Sequence, residues 1–432
     1  MKKILKKIIV WILRLEARLV LMKYKPKIVA VTGSVGKTTA KDAIYVVLSS
    51  AFFARKSEKS FNSEIGVPLT ILGCENAWSN PLLWVKNIFI GLGVVLLKNH
   101  YPKWLVLEVG TDAPGDIESL AKWLKPDIAV LTRFAKVPVH VEFFKSPQAV
   151  MEEKKKLVKY LKAGGLLIKN CDDEDINSIK APKGAQIISF GYNTDANILG
   201  MSNQIIYKNS IPVGTTFRVE YAGASVPVVL DGVLGKQHTY SALAALTVGI
   251  SQKLNIVSVA QALTEGYKPQ PGRMKLLEGI KGTTLIDDSY NASPIAMEKA
   301  LELLRELVLK EGGKKIAVLG DMLELGKYST EEHKKIGRLA AKICDVLITV
   351  GLRSKDITDG ALLGGMSEKN ILQFDNSTKA GKFLQNQIEK GDVILVKGSQ
   401  SMRMEKTLEE IMAHPELKDE LLVRQDAEWL LR

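Results

Sequence analysis

Residues 27–42 read KIVAVTGSVGKTTAKD, and this stretch decides the fold class. KIVAVT (27–32) is a short apolar run, the pattern of a strand buried on both faces. The turn GSVGKTT (33–39) follows, and 40–50 reads as a helix. Strand, glycine loop and helix in that order make a phosphate-binding turn. Glycines let backbone N–H groups converge on phosphate oxygens, and the helix N-terminus adds partial positive charge. The turn assigns Gly33, Ser34, Val35, Gly36, Lys37, Thr38 and Thr39 to a nucleotide, with Lys37 reaching the β- and γ-phosphates and the Thr38 hydroxyl binding Mg²⁺. The commoner spacing wants its first glycine where Val31 stands; this chain has the shorter G-x-x-G-K-T form from Gly33. No Asn-Lys-x-Asp base-reading motif follows, which favours ATP over GTP.

Outward from the loop, WLVLEV (104–109), DIAVLT (127–132) and LLIKN (166–170) read as strands, and 146–161 as a helix. That alternation predicts an α/β fold with a mostly parallel sheet wrapped by helices. Glu108, at a buried strand end, is placed to hold Mg²⁺, or else to cap or pair with a cation. Between 186 and 230 short alternating runs predict a small antiparallel excursion, and helices resume at 237–252 and 256–265. KPQPGR (268–273) reads as a linker. A second, Rossmann-like α/β domain follows, with strands at 284–288, 315–319, 346–350 and 393–397. The expected organisation is an N-terminal helix (1–27), a central nucleotide-binding domain (28–267), a C-terminal domain (268–412) and a helical tail (413–432).

A chain of 432 residues has room for about three domains. Its composition, 46% hydrophobic and 25% charged, excludes disordered and collagen-like classes. Three cysteines without a Cys-x-x-Cys pair argue against a disulfide scaffold or zinc ribbon and for a reducing, cytoplasmic setting. No apolar run is long enough to span a bilayer. Of the net charge of +13, residues 1–27 carry +8 and the other 405 only +5. Lys2, Lys3, Lys6, Lys7, Arg14 and Arg18 are interleaved there with Ile4, Leu5, Ile8, Trp11, Leu15 and Leu19, a basic amphipathic helix suited to peripheral membrane contact. A second apolar stretch, IFIGLGVVLL (88–97), either packs against that helix or under the sheet, or joins it at the membrane. Basic residues interleaved with aliphatics rather than aromatics argue against nucleic acid.

The loop TGSVGKTTAKD resembles that of the Mur ligases, ATP-dependent enzymes that form amide bonds in peptidoglycan precursors. FNSEIGVPLT (61–70), LEVGTDAPGDI (107–117), QPGRM (270–274), IDDSYNASP (286–294), VLGDMLELG (318–326) and VKGSQSMRMEK (396–406) carry the same likeness in family order. The last three are similar to the branch that adds D-alanyl-D-alanine to a muramoyl tripeptide. The resemblance implies ATP and Mg²⁺, an acyl-phosphate intermediate, and a C-terminal domain that closes over the nucleotide. It implies Glu108 and His140 as metal ligands with Thr38, and Lys154 as a lysine that becomes an anionic ligand on carbamylation; Lys155 or Lys156 would take that place if the helix register differs. Lys37, His140 and Lys154 are the catalytic set so implied. Arg273 would approach phosphates, Asp288 the ribose, and Tyr290 and Asn291 the nucleotide. Asn62, Glu64, Asp321, Lys397, Ser399 and Arg403 would hold substrate, with Glu324 and His333 helping to shape the dipeptide site.

Three departures qualify this. Only 27 residues precede the first strand, where family members using UDP-linked substrates carry a further domain, so the acceptor is read as recognised differently or as lipid-linked. Arg133 stands where asparagine is usual, with two extra residues before His140. Thr239 and Ser241 replace two asparagines. The partners expected are small molecules (D-alanyl-D-alanine and a muramoyl-peptide acceptor) for a monomer in the cytoplasm. The competing readings are a ligase of the same kind with another acceptor or amine, a P-loop NTPase driving conformational work, and a non-catalytic scaffold.

Overall fold

The computed structural model describes the backbone of residues 2–58 and 60–430, with side chains for 7–58, 60–426, 428 and 429. The side chains of Lys2, Lys3, Ile4, Leu5 and Lys6 lie outside the described residues, as do residues 431 and 432 of the tail.

A nine-stranded sheet organises the first part of the chain. In chain order its strands are β1 (Lys27–Thr32), β2 (Ala54–Lys56), β3 (Trp104–Glu108), β4 (Ile128–Leu131), β5 (Leu166–Asn170), β6 (Gln186–Gly191), β7 (Ile198–Lys208), β8 (Ile211–Tyr221) and β9 (Ala224–Asp231). Spatially they run β2-β3-β1-β4-β5-β6-β7-β8-β9. β1 pairs in parallel with β3 and β4 and is buried from Ile28 to Thr32, which explains its unbroken apolar run. Its side chains alternate between two cores: Val29 and Val31 face one, Ile28 and Ala30 the other. The antiparallel excursion is confined to β7, β8 and β9, because β6 runs parallel to β5 and begins no hairpin.

Helices cover both faces. These are α1 (Lys2–Tyr24), α2 (Lys37–Ser49), α3 (Gly66–Leu72), α4 (Pro81–Leu96), α5 (Asp116–Leu124), α6 (Pro147–Lys159), the single turn α7 (Glu174–Asn177), α8 (Lys236–Ser251) and α9 (Ile256–Gly266). Val47 of α2, Leu246 of α8 and Leu263 of α9 share one core, and Leu13, Ala17 and Val20 of α1 share the other with α3, α5 and α6. The apolar stretch 88–97 does not lie under the sheet. It is the greater part of α4, which begins at an Asn80 cap with Pro81 and packs beside α1.

The second sheet runs β10-β11-β15-β12-β13-β14, built from β10 (Lys275–Glu278), β11 (Thr284–Asp288), β12 (Lys315–Gly320), β13 (Val346–Val350), β14 (Ile371–Phe374) and β15 (Val393–Lys397). Only β10 is antiparallel to its neighbour. Its helices are α10 (Pro294–Glu306), α11 (Ser329–Ala340), α12 (Lys355–Leu363), α13 (Ser377–Gln387) and α14 (Glu405–Ile411). Beyond them the tail carries helix only as single turns, α15 (Lys418–Leu421) and α16 (Ala427–Leu430). The carboxyl ends of strands in both sheets point at one cavity of about 1220 Å³.

Candidate active site

The turn after β1 is shaped by two glycines. Gly33 lies so close to β4's end that a Cβ there would sit 2.0 Å from Thr132 Oγ1, and Gly36 caps α2 at φ +81°. The loop is pinned by neighbours: Thr132 Oγ1 donates to the Val35 carbonyl at 2.7 Å, and Ser34 N donates to the Arg133 carbonyl at 2.6 Å. Thr39 Oγ1 lies 2.8 Å from Ser241 Oγ. Every residue from Ser34 to Thr39 lines the cavity. Burial pulls the Lys37 ammonium below its usual range, with Glu108 opposing the shift and Arg273 adding to it.

Glu108 ends β3 almost completely buried. Its Oε2 accepts from Thr38 Oγ1 at 2.8 Å and its Oε1 from Asn62 Nδ2 at 3.0 Å. A hydroxyl and a fixed carboxylate beside a phosphate loop fit a hard cation that completes its shell with phosphate oxygens and water. Among the described residues no group of three or more His, Cys, Asp or Glu side chains converges as an all-protein metal cage.

His140 sits at φ +67° before a short turn, and its ring bridges two carboxylates: Nδ1 is 2.5 Å from Glu324 Oε2 and Nε2 is 3.5 Å from Asp112 Oδ1. Glu324 belongs to the C-terminal part of the chain, so this contact closes the cavity's two walls on each other. Hydrogen bonding to His140 holds the Glu324 carboxyl below its usual range. Lys154 is the inward lysine of its run. It is 4% exposed and lines a small pocket with Lys37, Asp112 and His140. Burial, then the neighbouring Lys37 charge, pulls it down to about 7. Lys155 and Lys156 face outward, paired with Glu152 and with Glu118 and Glu153.

From the other wall, Arg273 lies 4.0 Å over the Tyr290 ring and donates to Thr38 Oγ1 at 3.4 Å. His238, wholly buried and pulled by burial to about 4, links this arginine's carbonyl (2.9 Å) to the Tyr267 hydroxyl (2.8 Å). Thr239 and Ser241 are both buried; Ser241 braces the loop from behind through Thr39, whereas Thr239 accepts from Tyr192 OH and donates to the Lys236 carbonyl within α8. Arg133 lines the cavity and adds a cation to it.

The remaining predicted residues divide. Lys397 donates to Asp288 Oδ2 at 2.5 Å and to the Asn291 carbonyl at 2.9 Å, a buried pair on the cavity wall. Ser399 Oγ accepts from Leu323 N, and Asp321 Oδ1 from Ser354 N, so these two tie β12, β13 and β15 ends together. His333 Nε2 accepts from Met322 N in the same framework. Arg403 grips Glu405 and the Trp429 carbonyl. Asn62 lines the cavity, whereas Glu64 is exposed. Sequence reasoning passed over Asp112, Arg424 and Trp429. Arg424 is buried against Glu405 and donates to the carbonyls of Ser289 and Tyr290. Asp112 stood in a quoted motif; the two tail residues had no local signal.

A phosphate-loop sheet facing a second α/β sheet across one cavity, with an arginine of the second reaching the loop of the first, defines a nucleotide-dependent enzyme with its site between two sheets. This chain belongs to the Mur ligase family. Its residues 88–249 match the Mur ligase middle domain and residues 272–400 the Mur ligase glutamate ligase domain. It is 29% identical over 402 residues to the UDP-N-acetylmuramoyl-tripeptide--D-alanyl-D-alanine ligase of Bacillus subtilis, covering 92% of this chain and 79% of that protein. The Escherichia coli ligase of the same name is 28% identical, with 88% and 76% covered. Among solved structures, the MurF ligase of Thermotoga maritima in complex with ADP superposes with a TM-score of 0.75 at 28% identity, covering 93% of this chain and 83% of that one.

Proposed function

We propose that this chain is an ATP-dependent ligase that joins the amine of D-alanyl-D-alanine to a muramoyl-peptide carboxylate in peptidoglycan precursor synthesis. The observation that carries the reading is the Arg273–Thr38 contact, which brings the C-terminal sheet onto the phosphate loop, in a chain aligned nearly end to end with ligases of that name. The central domain (28–267) holds ATP and the C-terminal domain (268–412) brings the amine; residues 1–27 and 413–432 flank them.

The acceptor carboxylate attacks the γ-phosphorus, a bond to the new acyl phosphate forms, and the bond to the ADP oxygen breaks. The dipeptide amine then attacks the acyl carbon, loses a proton, and expels phosphate from a tetrahedral intermediate. An anion attacking an anion needs its charge neutralised, which is the work of Lys37, the loop N–H groups and Arg273. Thr38 and Glu108 would hold Mg²⁺, which supplies Lewis-acid charge neutralisation. Asn62 fixes the Glu108 carboxylate. His140 and Lys154 stand where the acceptor carboxylate meets the phosphates, Lys154 as a carbamate. The enzyme acts as a monomer in the cytoplasm, with its N-terminal helix in peripheral membrane contact. The test is phosphate release from ATP with D-alanyl-D-alanine, with and without UDP-N-acetylmuramoyl-tripeptide, followed by mass analysis. Release that requires both, with an adduct of acceptor and dipeptide, is the expected result; turnover indifferent to the dipeptide overturns the reading.

A further inference from the structure

Half of the large exposed hydrophobic side chains among the described residues, thirteen of 26, lie away from the cavity, on α1, α4 and the Leu97 cap. Trp11 and Met22 on α1, and Leu82, Phe89, Leu96 and Leu97 on α4, each leave three-fifths or more of their surface uncovered. The spacing is helical on both: positions 8, 11, 15 and 22 make one stripe, and 82, 85, 89, 92 and 96 another. The helices lie side by side. A Cβ on Gly91 would fall 2.2 Å from Glu16 Oε2, and Lys23 Nζ and Tyr24 OH both bond the Val94 and Leu97 carbonyls at the end of α4. One continuous face results, well beyond the scattered apolar residues of an ordinary soluble surface.

Charge decides what covers it. Exposed cations surround the face: Lys7 and Arg18 along α1, Lys25 just past its end, Lys86 on α4, and Lys98 just past that helix. Residues 76–107 contain no acidic residue, and the only one in 1–41 is Glu16, which is buried between the helices. A second copy would set these cations against each other, whereas anionic headgroups complement them. Neither helix is long and apolar enough to cross a membrane. We infer that α1 and α4 together form a docking face for an anionic bilayer, lying in the interface plane with their apolar stripes in the acyl boundary. The larger share of the contact belongs to α4. This deepens the membrane reading of the N-terminal helix and is independent of the ligase chemistry, because none of the six apolar residues named lines the cavity.

The experiment is co-sedimentation of the full chain with vesicles of phosphatidylcholine alone and of phosphatidylcholine mixed with phosphatidylglycerol, each at low and high salt, with light scattering on the free protein. The expected result is binding about tenfold stronger or more to the mixed vesicles, weakened by salt. Phe89→Glu with Leu96→Glu abolishes it while ATP binding is unchanged; Lys86→Glu with Lys98→Glu weakens it on the anionic vesicles only. No binding of the wild-type chain to the mixed vesicles overturns the inference. So does a dimer in free solution that the Phe89→Glu, Leu96→Glu variant dissociates, since the face would then belong to a second copy.

Discussion

At Lys154 the difference between an inward and an outward lysine is one helical position. Its side chain is buried beside Lys37 and Asp112, while the next two lysines find acidic partners on the surface. A charged face and a catalytic lysine look alike in the run EEKKKLV, so the register needed the ridge of Val150, Leu157 and Val158 that buries one side of α6. Lys154→Ala and Lys154→Arg should both lower ligase turnover by about a hundredfold or more, the arginine failing because it keeps the charge and cannot become a carbamate. Turnover of Lys154→Arg close to wild type would exclude that role. Lys37→Ala should cost at least as much with an unchanged circular dichroism spectrum. The strand, glycine turn and helix were legible, because their signal is local: seven consecutive residues carry the chain from β1 into α2. The contacts of His140 with Glu324, and of Arg424 with Glu405, join residues far apart in sequence, and no periodicity reports them.

Strands buried on both faces were read nearly to the residue, since a short apolar run between turn signals fits few elements besides a central strand. β2 and β14 were missed because they are short edge strands of three and four residues, and β6 was grouped with the hairpins although it continues the parallel order. α4 hid its length because only its apolar stretch 88–97 stood out, and that stretch is apolar on nearly all sides. The packing of α1 on α4 encloses Glu16, whose carboxyl burial raises to about 7 and whose Oε2 has no hydrogen-bond partner in the structure. The folded state therefore binds this proton more tightly than the unfolded chain. The stability this carboxyl contributes is fully present below about pH 4.5, is lost as pH rises from there through about 7, and is absent above. Thermal unfolding across that range should show a loss of up to about 3 kcal/mol from this group, and Glu16→Gln should flatten the profile. A variant with the wild-type slope would assign the pH dependence elsewhere.

For the whole molecule, the contacts that join the two sheets include the His140–Glu324 pair, the Arg273–Thr38 contact, the Tyr207–Val308 bond and one more on the rim. There Glu428 Oε1 accepts from Ser79 N and Oγ, one residue before the Asn80 cap of α4, while Trp429 packs against the guanidinium groups of Arg403 and Arg424. Ser79→Ala with Glu428→Ala removes the rim contact without touching the cavity's polar groups. It should raise KM for ATP severalfold with little change in thermal stability, read by steady-state kinetics beside an unfolding curve.

That rim contact turns the tail into a stay. It is fastened where Met412 bridges to Gly279 just past β10 and again at Arg424, and its far end hooks the base of the helix proposed to rest on lipid. A stayed gate has limited travel. Admitting substrate means letting out slack or unhooking, and whatever immobilises the post shortens the swing. A bilayer holding α4 would thus act on the far wall of the cavity through the short run of chain between Arg424 and Glu428, and nucleotide held in the cavity would, by the same linkage, tighten the grip on the bilayer.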